Sequence, residues 1–348
     1  MNIKRRHVLQ AALTPLIFPL LGSTAQAAPE SEFSEIRIIQ DKDPEQIQAV
    51  VASKDFAPTL ARAVHNFLVD NYASGNVPVW KKPLSQIDFT SRLTAISQQV
   101  VLGILRHSAI YPVDPFWIMS QMLTESFFYE FAVSSALAVG PCQFIAPTAR
   151  TYKMVCADEH VLLDDAVKHP ELKQSFTKAN SVREQMRTIR QNNSNLFTNT
   201  QTLLRTVLNR NAQGVVVNEA GAYLKILNQV EALQAEYNQE RNNARQYLEE
   251  NFNGRSIFNP QDKMFFEQFE QRVLYEYSIN AMVKMMAENL KARSGNILAA
   301  AAGYNAGLGN TKAPFGVFTT YGRIPNFAET VDYVGKIVVI HHEILQRM

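Results

Sequence analysis

The sequence predicts a mainly α-helical protein with an N-terminal helical region and a long helical insert. Most long segments space their apolar residues three and four positions apart, which is the period of an amphipathic helix. Alternating runs of Val, Thr and Ile bounded by turn residues are scarce, so any sheet should be minor. Of the 348 residues, 46% are hydrophobic and 19% are charged, which is typical of a folded globular chain.

Residues 1–27 predict a cleaved export signal. A basic start at residues 4–6 precedes an apolar stretch from Val8 to Leu21, and a small-residue cleavage site ends at Ala27. The start also partly matches a twin-arginine signal. The apolar stretch holds two prolines and is too short to span a bilayer stably. We therefore expect a periplasmic protein with its signal removed near Ala27; an ordinary N-terminal helix is the alternative.

Removal of the signal changes the net charge. Residues 1–27 hold three of the 34 basic residues and none of the 32 acidic ones, so 31 basic residues and a net charge of −1 remain. This balance predicts no nucleic-acid partner and no strong attraction to an anionic surface. No later segment is long and apolar enough to predict a membrane span in the mature chain.

Cys142 and Cys156 are the two cysteines of the chain. Their spacing does not decide whether they form a disulfide in an oxidising compartment. Two cysteines without clustered histidines argue against a zinc site. The sequence therefore predicts no metal and no cofactor.

Residues 28–110 form the predicted N-terminal helical region. Gly75, Pro78 and Pro83 break helices and separate two amphipathic segments. The apolar faces are Leu60, Val64, Phe67 and Leu68 in the first segment and Leu93, Ile96, Val100 and Ile104 in the second.

Residues 161–255 form the predicted insert, which is rich in Gln, Asn, Glu and Arg. We expect two or more long amphipathic helices that form a projecting hairpin or a lid. Such an insert could gate a cleft or bind a protein partner; the alternative is that it only packs on the main body. Its apolar residues at heptad-like steps are Ile226, Val230, Leu233 and Tyr237.

Glu125 is the first residue that could carry chemistry. Asp114-Pro115 predicts a helix start, with Asp as N-cap and Pro in the first turn. Glu125 then lies near the carboxyl end of this helix, on a mostly apolar face. Burial and the negative helix end both disfavour an ionised carboxylate, and a protonated carboxyl group is what a general acid needs. The alternative is a helix-end Glu that reaches solvent or bonds a loop.

Three motifs resemble the lysozyme-like catalytic domain of soluble lytic transglycosylases. Glu125-Ser126 and the following "AVSSALAVGPCQFIAPTA" resemble the family's Glu-Ser pair and its Gly-Leu-Met-Gln loop. "AAGYNAG" resembles the Ala-Tyr-Asn-Ala-Gly motif, and "IPNFAETVDYVGKIV" resembles the Pro…Glu-Thr…Tyr-Val segment. The resemblance implies a catalytic domain at residues 111–160 and 256–348. The helical pattern of the chain separately predicts a helical block from about Lys263 to Ala292.

The resemblance implies one chemistry for Glu125. It would protonate the glycosidic oxygen between N-acetylmuramic acid and N-acetylglucosamine, and then accept a proton from the muramic acid's own 6-hydroxyl. A 1,6-anhydro ring closes without water, so the reaction on peptidoglycan glycan strands is a lyase cleavage. Enzymes with paired carboxylates hold them across the scissile bond. No second carboxylate is obvious here, and Glu130 is predicted on a different helical face.

The resemblance also implies substrate-binding roles for residues of the first motif. Ser126 and Gln143 would bond the sugar or line the loop near Glu125. Gly140 would let the backbone approach a ligand closely. Leu137 stands where the family usually has Gly, so we expect a different loop backbone there.

The second and third motifs imply the opposite wall of a cleft. Tyr304 and Asn305 would face Glu125 and orient the acid or the sugar. Glu329 would help to hold the cleft together, and Tyr333 is predicted in the core. Two other functions remain open: a muramidase of the same fold that uses water, and a catalytically disabled glycan-binding or scaffold protein.

Overall fold

A computed structural model gives the structure of this chain and describes residues 37–159, 166–198, 203–205, 208–210, 213, 218–316 and 319–348. The predicted export signal lies outside the described residues. Within them the fold is mainly α-helical, which confirms the predicted class. The only strands in this part of the chain form one short antiparallel hairpin.

The chain divides into two compact units. The first combines the chain up to Cys156 with Ser256–Met348, and the second is Ala157–Arg255. The first unit therefore contains all three motifs together with the described part of the N-terminal region.

The N-terminal half of the first unit consists of α-helices and one β-hairpin. Both predicted apolar faces are buried there, in the second and third helices. The elements are α1 (Pro44–Val51), α2 (Phe56–Tyr72), β1 (Asn76–Val77), β2 (Lys82–Pro83), α3 (Phe89–His107), α4 (Pro115–Ser126) and α5 (Ala146–Thr151).

The second unit is a helical hairpin. The stripe predicted from Ile226 to Tyr237 includes the buried Val230, and the facing helices run antiparallel, since Phe176 meets Tyr247 at 6.1 Å. The elements are α6 (Gln174–Asn192), α7 (Ser194–Thr198) and α8 (Asn218–Phe252). Whether this hairpin gates a cleft or binds a partner stays a prediction.

The C-terminal half of the first unit contains α9 (Pro260–Phe269), α10 (Tyr275–Ala292), α11 (Ile297–Ala306) and α12 (Ala328–Leu345). The block predicted from Lys263 to Ala292 is therefore not continuous. Glu270 takes an extended backbone with φ of −157° and a single 3₁₀ turn follows at Gln271–Val273. The break turns Arg272 toward the loop that follows α4.

Helix α4 is central to the first unit. All its residues except Thr124 are buried, because α3 and α12 both pack against it. A fully buried aliphatic or aromatic side chain contributes about 1.5–3 kcal/mol, so this helix is fixed in place by its neighbours.

Arg272 holds the loop after α4. Its guanidinium forms a salt bridge with Glu270, and the two side chains are 1% and 0% exposed. It also donates to the carbonyl oxygen of Phe144 at 3.0 Å. Gly140, at φ of +83°, lies so close that a Cβ there would sit 2.0 Å from the carbonyl oxygen of Arg272. The loop therefore rests directly on this turn.

No helix among the described residues combines the length and the apolar character needed to span a bilayer. No group of three or more His, Cys, Asp and Glu side chains in this part of the chain could hold a metal ion.

We predict that Glu270→Gln strongly destabilises the fold. Removal of one partner from a buried ion pair leaves an uncompensated charge, which costs about 3–5 kcal/mol. Denaturant unfolding measures the change. Asp332→Asn is the matched control, because it breaks the exposed pair of Asp332 with Lys336 and should cost about 1 kcal/mol or less. Equal losses in the two variants would contradict the role of Glu270.

Candidate active site

The helix that carries Glu125 begins where the sequence predicts. The carboxylate of Asp114 accepts from the backbone N–H of Phe116 at 2.8 Å and of Trp117 at 3.3 Å, and Pro115 opens the helix. Glu125 is the penultimate residue of α4 and only 5% exposed. The prediction of a buried carboxyl group near the carboxyl end is confirmed.

Tyr333 contacts Glu125 directly. Its hydroxyl donates to Oε1 of Glu125 at 2.8 Å, and the Tyr333 side chain is 7% exposed on α12. Burial disfavours a charged carboxylate, whereas an O–H donor favours it. The bond also fixes the orientation of the carboxyl group. The sequence predicted Tyr333 in the core; it is buried, but its hydroxyl performs a polar role at the site.

Ser126 and Gln143 bind the backbone of the loop after α4. Oγ of Ser126 donates to the carbonyl oxygen of Pro141 at 2.8 Å. The amide of Gln143 donates to the carbonyl oxygens of Gly140 at 2.9 Å and Ala132 at 3.2 Å. Both side chains are at least 98% buried. Of the two roles expected for them, these contacts support lining the loop.

Tyr304 and Asn305 connect α11 to its two neighbours. The Tyr304 hydroxyl donates to the carbonyl oxygen of Cys142 at 2.7 Å, next to Gln143. Oδ1 of Asn305 accepts from the hydroxyl of Thr330 at 2.9 Å. Thr330 lies one turn before Tyr333 on α12, so Asn305 is tied to the helix that contacts Glu125.

The three motifs are thus joined in a closed circuit of contacts. Glu125 binds α12, α12 binds α11 through Thr330, α11 binds the loop through Tyr304, and the loop returns to Ser126 beside Glu125. Residues that are far apart in sequence therefore meet at one place. Glu329, another expected site residue, is exposed in the first turn of α12.

Left-handed backbone is concentrated around this site. Phe127 and Phe128, directly after α4, have φ of 52° and 61°, and Leu137 and Gln143 have φ of 59° and 50°. Such residues are uncommon and cluster at functional sites. Leu137 is thus in a conformation that glycine adopts without strain; whether this loop departs from the family's backbone stays a prediction.

Glu130 is held in an ion pair with Arg92. Arg92 donates to both carboxylate oxygens of Glu130, and Tyr275 donates to Oε2 at 3.4 Å. The prediction of a helical position for Glu130 is wrong, because α4 ends at Ser126.

The two cysteines are separate thiols. Cys142 is 0% exposed and Cys156 is 1% exposed, and neither is in a disulfide. Cys142 contributes its backbone carbonyl to the site, where it accepts from Tyr304.

A second polar contact joins α12 to the other end of α4. Nε2 of His341 donates to Oδ2 of Asp114, the N-cap of α4, at 2.7 Å, and His341 is 2% exposed. Burial lowers the pKa of His341, but the charge of Asp114 and its hydrogen bond outweigh burial and leave the pKa raised. Helix α12 therefore contacts α4 at both ends through polar groups.

Comparisons with protein-family models, with curated proteins and with solved structures find no match to this chain. The geometry of the site and the sequence motifs therefore indicate its function.

We predict that stability falls as pH rises above the ordinary histidine value of about 6.5. The folded state binds the His341 proton more tightly than the unfolded state, so its contribution is complete below that value and lost through the raised folded pKa. Each unit of raised pKa corresponds to about 1.4 kcal/mol.

Urea unfolding between about pH 5.5 and 8.5 measures this slope. His341→Gln should flatten it, whereas His342→Gln, which changes the exposed neighbour, should keep it. A slope unaffected by His341→Gln would refute the assignment.

Proposed function

We propose that this protein is a periplasmic lytic transglycosylase with a lysozyme-like catalytic domain. It cleaves the β-1,4 bond between N-acetylmuramic acid and N-acetylglucosamine in peptidoglycan and leaves 1,6-anhydro ends. One observation carries the proposal: the buried Glu125, bound by Tyr333, lies in a circuit of contacts that joins the three motifs. The export signal predicted at residues 1–27 supports the location.

The reaction needs a proton donor that later becomes a base. Glu125 in its protonated form gives its proton to the bridging glycosidic oxygen, and the bond to C1 of the muramic acid breaks. The ionised Glu125 then accepts the proton of the 6-hydroxyl as that oxygen attacks C1. The proton returns to Glu125, so the acid is restored and no water is consumed.

The surroundings of Glu125 suit this two-state role. Its burial favours the protonated acid, and the Tyr333 hydroxyl stabilises the carboxylate formed after the first step. Burial and the hydrogen bond therefore act on the two forms in opposite directions.

The pairing of Glu130 supports a mechanism with a single carboxyl group. Hydrolases with two carboxylates place them on both sides of the scissile bond. Glu130 is the next carboxylate along the chain, and Arg92 holds it in a buried ion pair. The acetamido group of the substrate can instead stabilise the positive charge that develops at C1.

We predict that Glu125→Gln lowers the rate of glycan cleavage by at least about 10² to 10⁴-fold, because the amide cannot donate the required proton. Purified sacculi incubated with the wild type and the variant, followed by mass spectrometry of the released fragments, measure both rate and product. Glu45→Gln is the matched control, since Glu45 is exposed in α1 and should leave the rate unchanged.

The products separate the three functions. Anhydro ends support the transglycosylase, and reducing ends would replace it with a muramidase. Sacculi that bind the wild-type protein but release nothing would replace it with a glycan-binding protein.

We predict that Tyr333→Phe lowers kcat by about ten- to 150-fold, the size expected for loss of one hydrogen bond to a charged group. The ring still fills its buried position, so the variant should keep the fold. Rates on purified glycan strands across pH measure the effect, and the shape of the pH profile should change with it. Tyr277→Phe, at a half-exposed tyrosine of α10, is the control. A pH profile identical to that of the wild type would contradict the role of Tyr333.

A further inference from the structure

The backbone directly after Glu125-Ser126 takes an unfavourable course. Phe127 and Phe128 are consecutive large residues in the left-handed region, at φ of 52° and 61°. A side chain with a Cβ is disfavoured there, and neighbouring contacts must hold it in place. The turn fixes where α4 stops and therefore where the side chain of Glu125 is presented.

The hairpin of β1 and β2 contains a second strained turn. Val79 and Lys81, on either side of Trp80, have φ of 66° and 54°. Left-handed backbone is especially unfavourable for a β-branched residue such as Val79. This turn belongs to the N-terminal region, which the family resemblance does not cover.

Trp80 joins the two strained turns. Its indole Nε1 donates to the carbonyl oxygen of Phe127 at 2.8 Å. Its ring lies 4.3 Å from that of Tyr129, and the ring of Tyr72 meets Phe127 edge-on at 5.3 Å. The carbonyl that accepts from Trp80 belongs to the second residue after Glu125.

Arg92 fixes the other side of the same turn. Its guanidinium lies over the Trp80 ring at 5.0 Å and also binds the buried Glu130. Residues 127–130 are therefore bound at one end by Trp80, through Phe127, and at the other end by Arg92, through Glu130. Both side chains come from the N-terminal region, and one stacks on the other.

We propose that Trp80 is a positioning residue for Glu125: its indole N–H holds the turn that ends α4 and so sets the direction of the carboxyl group. The N-terminal region then contributes a residue that positions the site. The catalytic consequence rests on the proposed function, whereas the structural consequence does not.

Trp80→Phe tests the proposal, because it keeps an aromatic ring and removes the N–H donor. Amide hydrogen exchange is the first readout, as it needs no substrate. The N–H groups of Phe127 and Tyr129 donate to Leu123 and Ser126 within this turn. Their exchange should speed up about five- to tenfold, the size expected for loss of one hydrogen bond, while exchange in the core of α3 stays unchanged.

Steady-state cleavage of purified glycan strands is the second readout. A misdirected acid should lower kcat by about tenfold and change KM by less than about twofold. Lys82→Ala is the matched control, since Lys82 is an exposed residue of the same hairpin and should change neither exchange nor kcat.

The outcomes separate this proposal from the proposed function. If the wild type cleaves no glycan, the proposed function fails and the exchange measurement alone decides whether Trp80 holds the turn. Unchanged exchange at Phe127 and Tyr129 in Trp80→Phe overturns the proposal. Faster exchange with an unchanged kcat also overturns it, because the turn would then not position the acid. Loss of protection across α3 would show a global effect and overturn it as well.

Discussion

The contact of α12 with α4 is the constraint on which the site depends. Tyr333 meets Glu125 near one end of α4, and His341 meets Asp114 at the other. Two polar contacts eight residues apart on one helix leave α12 little freedom to slide or rotate against α4. Apolar packing is not directional, so it would not fix that register as sharply as these hydrogen bonds do. The orientation of Glu125 therefore depends on both of these contacts between α12 and α4.

Much of the local structure could be predicted from the sequence. Asp114-Pro115 marks the start of α4 because capping and the fixed φ of proline act on neighbouring residues. The apolar faces of α2 and α3 follow from helical spacing alone. Glu125 could be placed for the same reason, since its position requires only the helix start and the period.

The long-range contacts could not be predicted in this way. Tyr333 and Glu125 are 208 positions apart, and a tyrosine at helical spacing is consistent with a core residue as well as with a hydrogen-bond donor. Arg272 lies in a break that helical periodicity does not mark, because contacts with residues distant in sequence hold it: the N–H of Gln271 donates to the carbonyl oxygen of Val155, and Arg272 donates to that of Phe144. Leu137 is a further example. Contacts of the loop with Arg272 maintain a left-handed backbone at Leu137, which a leucine side chain disfavours.

Three of the motif residues stabilise the loop that follows α4. The polar groups of Ser126, Gln143 and Tyr304 meet carbonyl oxygens of one loop. Such residues keep the loop in a single shape, and a preorganised loop is what a site needs to hold a carboxyl group in place.

The large sequence separation between Glu125 and Tyr333 has a consequence for biosynthesis. A ribosome that has completed α4 has made the acid but not yet the helix that orients it, and Arg272 is also still to come. Nascent chains therefore lack an assembled site until α12 has emerged. Any truncation upstream of this helix should yield a protein without a properly oriented acid, however well its earlier helices fold.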